Sequence, residues 1–160
     1  MPSDVPVYYW DANMFLSYIN KVADRLPILD AYLADSDERK IRIITSIVSI
    51  VEVAFAAQEQ QKRVLSASEE DAIDDLWADR RVIEVVELHE GIARDARGLI
   101  RDGLLKGWSL KPKDAVHLAS ARYYNATLVH TFDRPLRKYA PLIGRPVEPP
   151  TITRPRLLDV

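Results

Sequence analysis

Hydrophobic and polar positions along this 160-residue chain follow two alternating periods. Short runs of β-branched and aromatic residues recur as VPVYYW (5–10), IRII (41–44), VIEVVEL (82–88) and TLVHT (127–131), and each reads as a strand. Between them, apolar residues return at helical three- and four-residue steps. Phe15, Leu16, Ile19 and Val22 predict a helix from Asn13 to about Asp24, and Pro27 opens another with Ile28, Leu29, Tyr32 and Leu33 inward. IRII runs straight into TSIVSIVEVAFAAQ (45–58), a helix so apolar around its circumference that it reads as buried. Ser66 and Ser68 each precede an acid three residues on, so a helix is expected to start near Ser68, with Ala72, Ile73, Leu76 and Trp77 inward. A long helix follows from His89 to about Lys106, then Gly107, Ser109 and Pro112 mark a break and a new start that runs to about Tyr124. Arg134 to Tyr139 forms a short helix before the prolines crowd together.

Strands alternating with helices imply a mainly parallel sheet covered on both faces, an α/β fold built as a three-layer α/β/α sandwich. The length suits one domain, taken as residues 1–145, followed by a proline-rich tail at 146–160. The tail reads equally as an edge strand or a mobile end. In such sheets ligands sit outside the carboxyl ends of the strands, where strand order reverses. Attention therefore falls on the residues just after each strand.

Composition narrows the chemistry. With 48% apolar and 29% charged residues the chain reads as soluble and globular, with no apolar run long enough for a bilayer. MPSDVPVYYW lacks a basic stretch leading into an apolar one, so no secretory signal is expected. The absence of cysteine excludes disulfides, thiolate metal sites and cysteine nucleophiles, and it fits a cytoplasmic location. A net charge of −2 gives no global attraction to nucleic acid or membrane, so nucleic-acid binding would need local basic patches or metal ions.

Four carboxylates fall where the fold directs attention. Asp11 follows the first strand and Asp133 the fourth, on the same sheet edge if the strands are parallel. Glu52 interrupts the apolar helix two turns in, with Ser49 one turn earlier on its face. Asp114 lies in the first turn of the helix opened by KPKD. Each has a structural reading: Asp11 or Asp133 as a helix cap, Asp114 at a positive helix N-terminus, Glu52 in a salt bridge or at a wet helix rim. If the four converge, like charges raise one another's pKa values unless a cation neutralises them. An all-oxygen set selects a hard cation, Mg²⁺ or Mn²⁺.

At this point the chain resembles a family. VYYWDANMF resembles the opening D-x-N strand and turn of PIN-domain ribonucleases, and SIVSIVEVAFA is similar to their S/T-x-x-E helix. KPKDAVHLASA resembles their D-A-x-x-[LIV]-A helix start, and LVHTFDRPL their closing strand with T-x-D. The blocks occur in the family's order over about residues 5–140. The resemblance implies a Mg²⁺- or Mn²⁺-dependent endoribonuclease with Asp11, Glu52, Asp114 and Asp133 as catalytic metal ligands. Asn13, Ser49 and Thr131 would be supporting polar residues, with capping or local turn bonding as their structural reading. The expected reaction is phosphodiester hydrolysis by an activated water, leaving 5′-phosphate and 3′-hydroxyl ends. The single-domain size also resembles VapC-type toxins of toxin–antitoxin pairs, which implies an RNA substrate, a cognate antitoxin at the active-site edge and a homodimer, with helices at 13–38 as the candidate dimer surface. The charged segment from Glu59 to Lys106 departs from a minimal member of the family.

Lys111 and Lys113 flank Asp114, while Arg134, Arg137 and Lys138 follow Asp133, so both groups are candidate RNA-phosphate contacts. Arg94, Arg97 and Arg101 stripe the helix opposite Ile92, Ala96 and Leu99, a pattern that usually marks a solvated face. His89, His117 and His130 are not spaced as a metal set, and the latter two read as packed histidines. Trp10, Trp77 and Trp108 read as core or interface residues. An aspartyl phosphatase built on Asp11 would need an acid at position 13, which is asparagine. The remaining alternative is a catalytically silent PIN-like scaffold that binds RNA or a protein partner.

Overall fold

A computed structural model describes residues 5–57 and 62–151. Five strands, β1 (Val7–Trp10), β2 (Arg42–Ser46), β3 (Ile83–Val86), β4 (Leu128–His130) and β5 (Val147–Glu148), form one sheet in the order β3-β2-β1-β4-β5. Every pairing is parallel. The helices are α1 (Ala12–Ile19), α2 (Leu26–Asp37), α3 (Val48–Ala57), α4 (Ala67–Ala78), α5 (Glu90–Leu105), α6 (Pro112–Tyr123) and α7 (Ala140–Ile143), with a 3-10 segment at Arg134–Tyr139. The expected α/β/α sandwich is therefore present.

The period-2 alternation of the central strands divides the core. In β1, Tyr9 enters one apolar cluster and Trp10 the other, and in β2 Ile44 and Ile43 divide in the same way. The Tyr9 side is covered by α5, α6, the 3-10 segment and α7, through Ile92, Leu99, Leu118, Leu136 and Ile143. The Trp10 side is covered by the first four helices, through Phe15, Leu29, Val53, Ile73 and Trp77. The chain builds outward from β1 through β2 to β3, then crosses back to β4 on the other side of β1. The order thus reverses between β1 and β4, and that switch point is where a parallel sheet opens a crevice.

Several boundaries differ from the periodicity. α1 stops at Ile19 because Lys21 adopts φ 51°, a left-handed conformation that ends the helix. α4 is capped by Ser66 rather than by Ser68: Ser66 Oγ accepts from the Glu69 N–H while the Glu69 carboxylate reaches back to the Ser66 N–H. Val147 and Glu148 pair with β4 as an edge strand, and Tyr32 donates to the Thr151 carbonyl at 2.9 Å. The remainder of the tail, 152–160, lies outside the described residues, as do 58–61 at the start of the charged segment.

The largest correction concerns α3. Ser49 and Val53 are fully buried, but Val51 and Phe55 are 71% and 53% exposed, and Ile47 just before the helix is also exposed. Positions 47, 51 and 55 recur every four residues and form one outward row. The helix packs against α1 and α4 and meets α6 through Glu52, while the row at 47, 51 and 55 stays exposed. Composition alone could not separate an apolar buried helix from an apolar half-exposed one.

Candidate active site

The pairing of β1 with β4 aligns Trp10 with His130, so the next residues, Asp11 and Thr131, leave the switch point side by side. Thr131 Oγ1 donates to Asp11 Oδ2 at 2.5 Å and accepts the Asp133 N–H at 3.0 Å. One hydroxyl thus ties the residue after β1 to the turn after β4. Asp11 also caps α1, accepting the Met14 N–H at 3.3 Å. The capping reading of Asp11 is correct as far as it goes. A cap needs no burial, however, and Asp11 is only 3% exposed.

Asp114 enters from α6, whose first turn is set by Pro112. Burial raises its carboxyl above the usual carboxylate range; Lys113 and His117 pull it down, while Asp133 and Glu52 push it up. For Asp11, burial pushes the carboxyl up to about 6, opposed by His117, the Thr131 hydroxyl and the Met14 N–H, with Asp114 adding to the rise. Asp114 therefore feels Glu52 and Asp133 and acts on Asp11, so the four acids share one electrostatic neighbourhood that includes α6. They do not form a closed cage. Among the described residues no group of three or more His, Asp or Glu side chains is gathered tightly enough to hold an ion.

Glu52 has partners the sequence reading missed. Its Oε1 lies 2.8 Å from His117 Nε2, and its Oε2 lies 3.9 Å from Lys113 Nζ. Glu52 is mostly buried, and His117 is completely so. His117 Nδ1 in turn meets the Tyr9 hydroxyl at 2.5 Å. His117 stands three residues after Asp114 on the same helix face, so a polar side chain among Ala115, Leu118 and Ala119 was the signal available.

The supporting residues separate. Thr131 is buried and bonded into the acid cluster. Ser49 is buried too, but its hydroxyl is committed to Thr45 Oγ1 at 2.7 Å, which itself donates to the Trp10 carbonyl. Asn13 is exposed in the first turn of α1. Lys111, Lys113, Arg134, Arg137 and Lys138 are all exposed, at the start of α6 and in the 3-10 segment after Asp133. Arg94, Arg97 and Arg101 are exposed on α5, with Arg94 paired to Glu90. His89 caps α5 through Nδ1, and His130 accepts from Trp10 Nε1 at 3.1 Å with its pKa lowered by burial to about 4. Trp10 and Trp77 are core residues, whereas Trp108 is partly buried, with the Lys106 and Lys138 ammonium groups within 5.6 and 5.2 Å of its ring centre.

Residues 8–142 match the family model of the PIN domain, and the chain belongs to that family. Solved structures share the fold, two of VapBC and one of FitAcB among them. VapBC2 from Rickettsia felis, bound to a DNA fragment from its promoter, superposes with a TM-score of 0.67 at 16% identity, covering 89% of this chain and 98% of that one. FitAcB from Neisseria gonorrhoeae gives 0.64 at 12% identity, covering 89% and 97%. DNA-bound VapBC from Salmonella typhimurium gives 0.63 at 15% identity, covering 92% and 100%. At these identities the likeness is one of fold. Of the curated proteins, none matches the chain.

Proposed function

We propose that this PIN domain is a Mg²⁺- or Mn²⁺-dependent endoribonuclease that acts in the cytoplasm as the toxin of a VapBC-type pair. The observation that carries the reading is the gathering of acids around Asp114: burial first and then neighbouring acids raise the carboxyls of Asp11 and Asp114, with Glu52 from α3 and Asp133 from the end of β4 acting on Asp114 and Asp114 acting on Asp11. Such an arrangement costs stability in a metal-free protein and is relieved by a cation. In its chemistry, though not in its present spacing, the donor set suits a hard divalent ion, being oxygen-rich with no thiolate, and Lys113 already lies against Glu52 as a counter-charge. When bound, such an ion supplies charge neutralisation at phosphorus and an activated water.

The chain's own residues do the rest. Asp11, Glu52, Asp114 and Asp133 provide the oxygen ligands, and Thr131 holds Asp11 against the turn that carries Asp133. Lys111, Arg134 and Arg137, exposed beside these acids, take the RNA phosphates. The VapBC and FitAcB names of the structural neighbours support an antitoxin protein as partner, and a homodimer is the working form that the resemblance to VapC-type toxins implies.

The test is Mn²⁺ titration by calorimetry, with Asp114→Asn and Glu52→Gln beside the wild type. Tight binding that either substitution weakens tenfold or more, about 1.4 kcal/mol, supports the reading. A wild type that binds no Mn²⁺ returns the chain to the alternative of a silent scaffold.

A further inference from the structure

We infer that His117 is a positioning residue, held in one tautomer by Tyr9, that fixes which oxygen of Glu52 is offered to the acid cluster. The inference deepens the metal-dependent reading and rests on it.

The Tyr9 ring lies under α6, fully buried, and its hydroxyl oxygen accepts the Ser46 N–H at 3.1 Å. A phenol, with an ordinary pKa of about 10, keeps its hydrogen at neutral pH. That hydrogen has His117 Nδ1 in reach at 2.5 Å, which makes Nδ1 an acceptor. The imidazole proton then sits on Nε2, facing Glu52 Oε1 at 2.8 Å. The opposite tautomer would set the Nε2 lone pair against a carboxylate oxygen, two acceptors face to face. The chain thus has a direction: Ser46 N–H to Tyr9, Tyr9 O–H to His117, His117 N–H to Glu52.

The consequence falls on Glu52. Its long side chain has three rotatable bonds, and the His117 bond holds one oxygen beneath the surface. The other oxygen, Oε2, is left on the side of Lys113, 3.9 Å from its Nζ, and Glu52 adds to the rise that burial gives the Asp114 carboxyl. Ligating carboxylates and histidines are commonly oriented by such outer partners, whose loss typically costs about 10–100-fold in metal affinity. His117 itself is too buried to meet a substrate, so its influence passes through Glu52.

Two measurements on the intact chain test this. In the metal-free ¹⁵N-labelled protein at about pH 8, where an ordinary imidazole is neutral, long-range ¹H–¹⁵N correlation spectra should place the His117 proton on Nε2. Tyr9→Phe, which removes one oxygen and keeps the ring, should mix the tautomers. In Mn²⁺ calorimetry, Tyr9→Phe should weaken binding several-fold and His117→Ala about 10–100-fold. The double variant should be no weaker than His117→Ala alone, and His117→Gln, with an amide N–H to offer, should recover part of the loss. Because His117→Ala also opens a cavity, Tyr9→Phe decides the matter should the alanine variant fail to fold. A proton on Nδ1 in the wild type, or undiminished Mn²⁺ affinity in Tyr9→Phe, overturns the inference while leaving the metal site standing. A wild type that binds no Mn²⁺ overturns the functional reading instead, and with it the relay's task, even if the tautomer is as stated.

Discussion

Replacing Asp11 by asparagine should stabilise the cation-free protein. Asp11 is nearly fully buried, and burial is the main reason its carboxyl rises from 3.8 to about 6. An acid whose folded pKa exceeds its unfolded one holds its proton more tightly in the native state. The native state is then favoured most at pH values below both constants, and this contribution is lost as pH climbs from about 4 to about 6. At ~1.36 kcal/mol per pKa unit, the charged Asp11 costs the fold about 3 kcal/mol at neutral pH. Asparagine resembles the protonated acid: its carbonyl accepts the Met14 N–H, and its amide faces Thr131 Oγ1, whose own hydrogen must turn away. Allowing for that imperfect mimicry, the expected gain is about 1–2 kcal/mol, or about 2–8 °C in Tm for a chain of this size. Thermal unfolding followed by circular dichroism in EDTA, at about pH 7.5 and again near pH 4, measures it. The variant should lead at neutral pH and lose most of its advantage near pH 4, where Asp11 is protonated in the native state and partly protonated in the unfolded chain. A variant less stable than wild type at neutral pH would refute the reasoning, because capping of α1 would then outweigh the burial penalty.

His130 should act in the opposite sense: its pKa is lowered by burial from 6.5 to about 4, so the unfolded chain takes up a proton first and stability falls as pH drops through that interval, by up to about 3 kcal/mol. Asp11 and His130 therefore offset one another in the wild type, and Asp11→Asn should show a steeper acid loss between about pH 6.5 and 4 than wild type in chemical denaturation. Thr131→Val removes both the donor to Asp11 and the acceptor of the Asp133 N–H, and should cost about 2 kcal/mol by urea denaturation as well as weakening Mn²⁺ binding. Ser66→Ala dismantles the capping box of α4 at a cost of about 1 kcal/mol, read in the same denaturation, with no effect on Mn²⁺ affinity. Gly103→Ala would bring a Cβ within 3.1 Å of the Tyr139 ring and hydroxyl, so a loss of about 1–3 kcal/mol is expected; neutral behaviour would show that Tyr139 can move aside.

Much of the architecture was legible because it rests on periodicity. Alternating residues in β1 and β2 divide between two faces, and that division is what makes three layers. Asp11 and Asp133 were legible as neighbours because parallel strands place their following residues on one edge, and the Trp10–His130 register does so here. What escaped was whatever depends on which elements cover which. The α3 sequence is apolar on both its buried and its open side, so burial of Ser49 and exposure of Phe55 could not be read from hydropathy. β5 is two residues long, too short for any period, and exists because β4 offers it an edge. The Glu52–His117–Tyr9 connection joins positions far apart in the chain, and nothing local in any of the three announces the other two. Glu52 was singled out as a carboxylate in an apolar helix in need of a partner, yet that partner had been read as a packing residue.

The central claim is that these acids serve a metal-dependent cut in RNA. Its most direct test is cleavage of a mixed single-stranded RNA pool by the purified chain, with Mn²⁺ and then with EDTA, wild type beside Asp114→Asn. The account predicts cleavage by the wild type with Mn²⁺, leaving 5′-phosphate and 3′-hydroxyl ends, and none in EDTA or from a folded Asp114→Asn. Cleavage that persists in EDTA, or equal turnover by Asp114→Asn, would contradict it.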